Sequence, residues 1–298
     1  MPDEVRKGDG LDLAQAVWSR RNWLVWPQSG VLVPVFAGLL AALYWRIGLE
    51  LVERVWGDDN YSHAFLVPFF AGFLIWQRRA ELRALSPRGS RVDLPVLLAG
   101  VGMLLLGTIA VEDFLMRSSF IIILVGLVLW HLGREFLRML AFPLAFLLFA
   151  VPLPAIVFYG IAFPLQNLAA QNAAWMLGLL GVPVLLDGNI IHLSHITLGV
   201  TEACSGIRSL LSLLCLAAAW GYLTLPSTWG IVALTVAAFP ITIVANAGRI
   251  VMTGLIGQWF GIPYAQGFFH GFSGWAIFMA AFACLFVIHG LIRFTKRR

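Results

Sequence analysis

Residues 94–111 read LPVLLAGVGMLLLGTIAV, eighteen consecutive positions without an ionisable side chain. An α-helix of that length measures about 27 Å, close to the hydrocarbon thickness of a bilayer. Similar apolar runs lie on both sides of it, near 31–48, 63–77, 118–132, 137–152, 207–225, 229–250 and 272–292. The runs are continuous rather than alternating apolar and polar, which excludes a β-barrel. The expected fold is an all-α integral membrane protein with about eight transmembrane helices.

Composition supports this reading. The chain of 298 residues is 60% hydrophobic and only 12% charged, against about 25% charged in an ordinary soluble domain. No soluble core of this size could hide so much apolar surface. The net charge of +5 does not imply nucleic acid, because the basic residues collect in loops beside the spans. Arg20, Arg21, Arg78, Arg79, Arg83, Arg88, Arg91, Lys296, Arg297 and Arg298 are so placed, as the positive-inside rule requires. Twelve tryptophans suit the lipid–water boundary, where an indole offers an apolar body and a polar N–H.

The same rule sets orientation. The basic loop from Arg78 to Arg91, the segment His131–Arg138 and the C-terminal Lys296–Arg298 are expected inside, and the loop with Glu50, Glu53, Asp58 and Asp59 outside. Both termini then lie inside and the number of spans is even. Residues 1–30 form a cytoplasmic or interfacial segment, with Trp18, Trp23 and Trp26 on the membrane surface. A polar stretch precedes the first apolar run, so no cleavable signal peptide is expected. Residues 31–298 are expected to form a single polytopic membrane domain.

Parity decides the reading of 155–180. Gln166, Asn167, Gln171 and Asn172 interrupt an otherwise apolar run and are expected to form one polar stripe. Pro152 and Pro154 break the preceding helix, so 155–180 is expected to be an amphipathic or re-entrant helix on the outer side. In 182–203, β-branched and aliphatic residues surround Asp187-Gly188-Asn189, which predicts a short outer-side β-hairpin.

Three polar sites fall on this outer face. One is Thr201-Glu202-Ala203-Cys204-Ser205-Gly206-Ile207-Arg208-Ser209, where the span 207–225 begins. A second is Asn246-Ala247-Gly248-Arg249, at the outer end of 229–250, and the third is His270, just before 272–292. A thiol, a guanidinium and an imidazole at one depth are the parts a cysteine nucleophile needs. Cys204 precedes a helix N-terminus, whose unpaired N–H groups and dipole favour a thiolate. His270 is suited to act as general base and then as acid for the leaving amine. Arg249 cannot release its proton, so it would stabilise an oxyanion or position substrate. Asn246 lies one turn before Arg249 and Arg208 one turn after Cys204, each on the face of its neighbour. Glu202 and Ser205 flank the cysteine and complete the supporting set. His63 either lines the same site or caps a helix.

The motifs Ala203-Cys204-Ser205-Gly206-Ile207-Arg208-Ser209, Asn246-Ala247-Gly248-Arg249-Ile250 and His270-Gly271 resemble those of the exosortase/archaeosortase family, from about residue 31 to the C-terminus. Tyr61-Ser62-His63 resembles a further family feature, with Ala64 standing where glycine is expected. The resemblance implies a cysteine transpeptidase or protease of the bacterial inner membrane with Cys204 as nucleophile and Arg249 and His270 completing the site. It implies exported protein substrates whose C-terminal sorting signal joins a short motif such as Pro-Glu-Pro, a transmembrane helix and a basic tail. The cleaved protein would pass through a thioester to a lipid or glycan acceptor, and no cofactor is expected.

Blander readings apply elsewhere. Cys215 and Cys284 are expected to be small buried hydrophobes, and His131 and His289 bystanders toward the inner side. His192 and His195 would point to opposite faces of an extended segment, so no metal site is expected. A transporter or channel would place charge near the bilayer midplane and show repeated halves, and neither is evident. Gly271-Phe272-Ser273-Gly274 looks like the motif of a serine intramembrane protease, but His289 lies on the same helix about 24 Å away. A purely structural role would leave Cys204 dispensable.

Overall fold

A computed structural model describes residues 26–55, 57–89, 93–200, 206–261, 263–264 and 268–295. The chain divides into two compact units, Met1–Leu51 and Val52–Arg298. The first holds α1 (Trp26–Glu50), and a single wider π-helical turn covers Leu51–Val55 at the boundary between the units. The surface segment expected around Trp18 and Trp23 lies outside the described residues, as do Lys296–Arg298.

The second unit is a helical bundle carrying a small sheet. Its helices are α2 (Leu66–Gln77), α3 (Arg79–Ala84), α4 (Leu94–Ala110), α5 (Asp113–His131), α6 (Arg134–Phe146), α7 (Ala155–Leu179), α8 (Ile207–Thr224), α9 (Thr228–Phe260) and α10 (Phe268–Thr295). Among the described residues five helices are long and apolar enough to cross a membrane: Pro34–Glu53, α5, α8, α9 and Phe272–Thr295. Helices α6 and α7 meet at a bend of 77° and make a sixth span if taken together. Of the expected eight, five or six meet that length; α2 and α4 are shorter apolar helices of 12 and 17 residues, about 18 and 26 Å, and 137–152 counts only together with α7.

Helices α4 and α5 form a hairpin in which glycine replaces side chains at the seam. A Cβ on Gly126 would stand 2.6 Å from Leu97 Cα, one on Gly100 2.9 Å from Ile123 N, and one on Gly107 2.8 Å from Met116 N. The backbones therefore touch, as small residues permit inside lipid. The corner is built from Val111 in the left-handed region (φ 55°) and from Glu112, whose carboxylate accepts from the Leu115 N–H at 2.7 Å. Asp113 then pairs with Arg117 at 2.7 Å along the first turn of α5.

The prolines act as expected between α6 and α7. A 3₁₀ turn, Leu147–Ala150, follows α6, and α7 starts directly after Pro154. The expected polar stripe is not present, because the four positions spread around the helix. Gln166 is buried and Asn172 half-buried, while Asn167 and Gln171 are exposed. The inward face is instead small and apolar, made by Ala162, Ala169, Ala170, Ala173 and Leu177. The exposed Ile156, Phe163, Trp175 and Leu179 leave α7 apolar on much of its outside as well.

The expected hairpin is a three-stranded antiparallel sheet: β1 (Val184–Asp187), β2 (Ile190–Leu193) and β3 (Thr197–Gly199), in that order. Gly188 (φ 58°) makes the first turn. The third strand was hidden because its three residues are too few to show alternation. Ile191, Leu193, Ile196 and Val200 seat the sheet on the inward face of α7 and on Ile250 and Val251 of α9. His195 falls in the turn between β2 and β3 rather than in a strand. Among the described residues no group of three acidic, histidine or cysteine side chains could hold a metal.

Helices α8, α9 and α10 pack around Leu213, Ala217, Leu234, Ala238, Ala281 and Leu285. Cys215 is buried, as expected, but Cys284 on α10 is exposed, a correction to its expected burial. The largest difference in extent concerns α9. It continues to Phe260, 33 residues in all and about 50 Å, so Arg249 lies within the helix rather than at its end. Hydrophobicity could not mark that end, because the last turns remain apolar where the sheet covers them: Leu177, Leu193 and Leu198 surround Gly254.

Candidate active site

One face of α9 carries Thr242, Asn246, Arg249 and Thr253, at spacings of four, three and four. Asn246 is buried and Arg249 half-buried. Asn246 meets the start of α8 at Gly206, where a Cβ would stand 3.1–3.2 Å from its carboxamide side chain. Gly206 has φ 79° and precedes the first residue of α8. Glycine is suited to both demands, a left-handed backbone and close approach.

Arg249 reaches the other way, to α10. Its guanidinium lies 3.4–3.6 Å from the point a Cβ on Gly274 would occupy, ordinary van der Waals contact, so it packs against α10 at that position. Between these contacts is a small crevice of about 10 Å³, lined by Ser209, Leu213, Thr242, Asn246, Arg249 and Gly274 among others. That is about the space of one water molecule. The start of α8, the middle of α9 and the start of α10 thus meet around one permanently charged guanidinium.

Of the eight residues expected at the site, Cys204, Glu202 and Ser205 lie outside the described residues. The backbone of His270 is in the first turn of α10, four positions before Gly274, and its side chain lies outside the described residues. Arg208 is the second residue of α8 and half-buried. Val200 and Gly206, which bound the cysteine segment, are both anchored toward α9: Val200 in the cluster with Ile250 and Val251, Gly206 on Asn246.

His63 approaches α8 from another side. Its Nδ1 is 3.4 Å from the Ser212 hydroxyl, and Ser212 follows Arg208 by four residues, on the same face. Burial pulls the His63 imidazole below its ordinary 6.5, an effect the Phe149 carbonyl partly offsets. The ring is therefore neutral at pH 7. Beside it, Tyr61 Oη accepts from the Leu153 N–H at 3.3 Å. Burial raises the Tyr61 hydroxyl above its ordinary 10.0, with the Leu153 contact opposing the shift. The motif Tyr61-Ser62-His63 thus ties the Pro152–Pro154 bend to α8.

Sequence reasoning did not assign Gly274, Thr242 or Ser212 to the site, and it met Ser209 and Tyr61 only as members of quoted motifs. Gly274 was read only within a serine-protease motif, and the structure gives it another use. Ser273 is buried, 2% exposed. The distant His289 stacks on Trp220 and shares a 2.8 Å hydrogen bond with Thr224, so it has structural employment of its own. Ser212 and Thr242 carried no sequence signal beyond their helical spacing.

A family model described as transmembrane exosortase matches residues 55–287, more than half of the chain. Comparison with curated proteins gave no match, and comparison with solved structures gave none either.

Proposed function

The chain belongs to the exosortase family, and from that premise we propose that it is a cysteine transpeptidase that removes C-terminal sorting signals from exported proteins. Exosortases are multi-pass membrane proteins of cysteine-type transpeptidase and protease character. In this reading the site faces the outer side of the bacterial inner membrane. A substrate helix docks laterally in the bundle, and its scissile bond stands just above the hydrocarbon.

The Cys204 thiolate attacks the scissile carbonyl carbon, and the electron pair moves to oxygen. Arg249 donates hydrogen bonds to that oxyanion. Collapse expels the amine of the departing C-terminal segment, which takes a proton from His270 and leaves a thioester. An acceptor amine or hydroxyl, on a lipid or glycan, then attacks the thioester and gives its proton to His270; water in its place yields hydrolysis. Thiolate is regenerated. Asn246 and Arg208 support the cationic side, with Glu202, Ser205 and His63 as neighbours for the substrate.

One observation carries this reading. The Arg249 guanidinium packs against Gly274, one turn from His270, while Asn246 is seated on Gly206, two residues from Cys204. The decisive experiment co-expresses an exported reporter ending in a Pro-Glu-Pro motif, a transmembrane helix and a basic tail. Wild type is expected to remove the tail, and Cys204→Ala at equal membrane abundance to leave it intact. Equal cleavage by the two would eliminate Cys204 as nucleophile.

A further inference from the structure

The small sheet has a use that its packing alone does not require. Backbone hydrogen bonds run from Leu193 N–H to Ile196 O at 2.8 Å and from Val200 N–H to Asn189 O at 2.9 Å. In an antiparallel ladder the direction of the peptide groups alternates along a strand. Ile196, Leu198 and Val200 therefore turn theirs toward β2, and Thr197 and Gly199 turn theirs outward. Among the described residues these outward groups make no hydrogen bond. Thr197 and Gly199 are exposed, and a Cβ on Gly199 would meet nothing within 4 Å. β1 is the other edge of the sheet, and its Val184 and Leu186 pack into the cluster on α7; β3 is the edge that continues toward the cysteine segment.

The place of that edge in the chain is informative. β3 leads through Val200 directly into the segment that holds Cys204, five residues after Gly199. Exposed edges of this kind are usually blunted, because an unpaired row of N–H and C=O groups recruits another strand. This one carries neither a charge nor a proline at Thr197–Gly199.

We propose that β3 is the peptide-docking edge of the enzyme: the extended segment preceding the cleavage site of an exported substrate adds to it as a fourth strand. The inference rests on the transpeptidase reading above and deepens it. The Thr197 and Gly199 peptide groups supply register and affinity whatever the substrate's side chains. Alternate substrate side chains then face the α9 side of the sheet and the solvent. Sequence selection would fall on every second residue.

The test uses the full-length membrane protein and the exported reporter described above. Thr197→Pro and Gly199→Pro remove outward N–H donors while leaving the inward ladder to β2 intact. Each is expected to lower processing about tenfold at equal membrane abundance. A second measurement is independent of proline. With Thr197→Cys in a Cys204→Ala background, single cysteines placed along the reporter upstream of its cleavage site are expected to form disulfides at alternate positions. Processing by both proline variants within about twofold of wild type, uniform or absent trapping, or disulfides between two copies of the enzyme would each overturn the proposal. A reporter cut by wild type and by Gly199→Pro alike removes this inference alone. A reporter left intact by wild type, or cut equally by Cys204→Ala, removes the underlying reading with it.

Discussion

Arg249→Lys is expected to lower reporter processing by about two to three orders of magnitude, close to the loss from removing a main oxyanion donor. Lysine keeps the charge, so a purely electrostatic role would be largely rescued. The geometry argues against rescue. The guanidinium lies along Gly274 at 3.4–3.6 Å from the missing Cβ, and that planar, forked group presents donors in a fixed direction. A lysine ammonium is compact and strongly hydrated, and does not reproduce the fork. Processing by Arg249→Lys within about threefold of wild type would reduce Arg249 to a general source of positive potential.

The second large effect concerns folding. Gly126→Leu is expected to destabilise the protein by about 3 kcal/mol, at the upper end of ordinary overpacking. A Cβ there would stand 2.6–2.7 Å from Leu97 backbone atoms, so relief requires α4 and α5 to separate rather than a rotamer to change. In lipid no hydrophobic force restores the contact once the close approach is lost. Gly102→Leu is the matched control, since nothing lies within 4 Å of its Cβ position on α4. Thermal unfolding in detergent and abundance in membranes should separate the two variants. Equal melting temperatures would mean that the α4–α5 seam contributes little.

The sequence conveyed the helices well, and their differing limits have physical causes. Runs such as 94–111 and 207–225 end where Glu112 or Pro226 interrupts apolarity, and α4 and α8 end within a residue of those runs. α9 ends ten residues beyond its expected limit because an apolar sheet, rather than a polar loop, covers its last turns. Chemistry-bearing residues were legible where type and spacing agree, as for Asn246 and Arg249 on one helical face. Glycines were not, because a glycine's contribution is the neighbour it admits. Gly206 and Gly274 acquire meaning only once Asn246 and Arg249 are seen against them. β3 was illegible for a different reason: pairing with β2, not its own three residues, makes it a strand.

The length of α9 has a further consequence. Arg249 lies 21 residues after Thr228, about 32 Å along the axis, against a hydrocarbon slab of about 30 Å. In the proposed orientation this one continuous helix, with Pro240 inside it, crosses the lipid and carries Arg249 near the outer boundary. The host bilayer becomes a dimension of the enzyme: in thin lipid Arg249 rises clear of the acyl chains, and in thick lipid it is submerged. Turnover of a peptide substrate in proteoliposomes is expected to peak at intermediate acyl length and to fall on the thick side. A profile flat across acyl lengths would mean that tilt absorbs the mismatch, and α9 would then measure nothing.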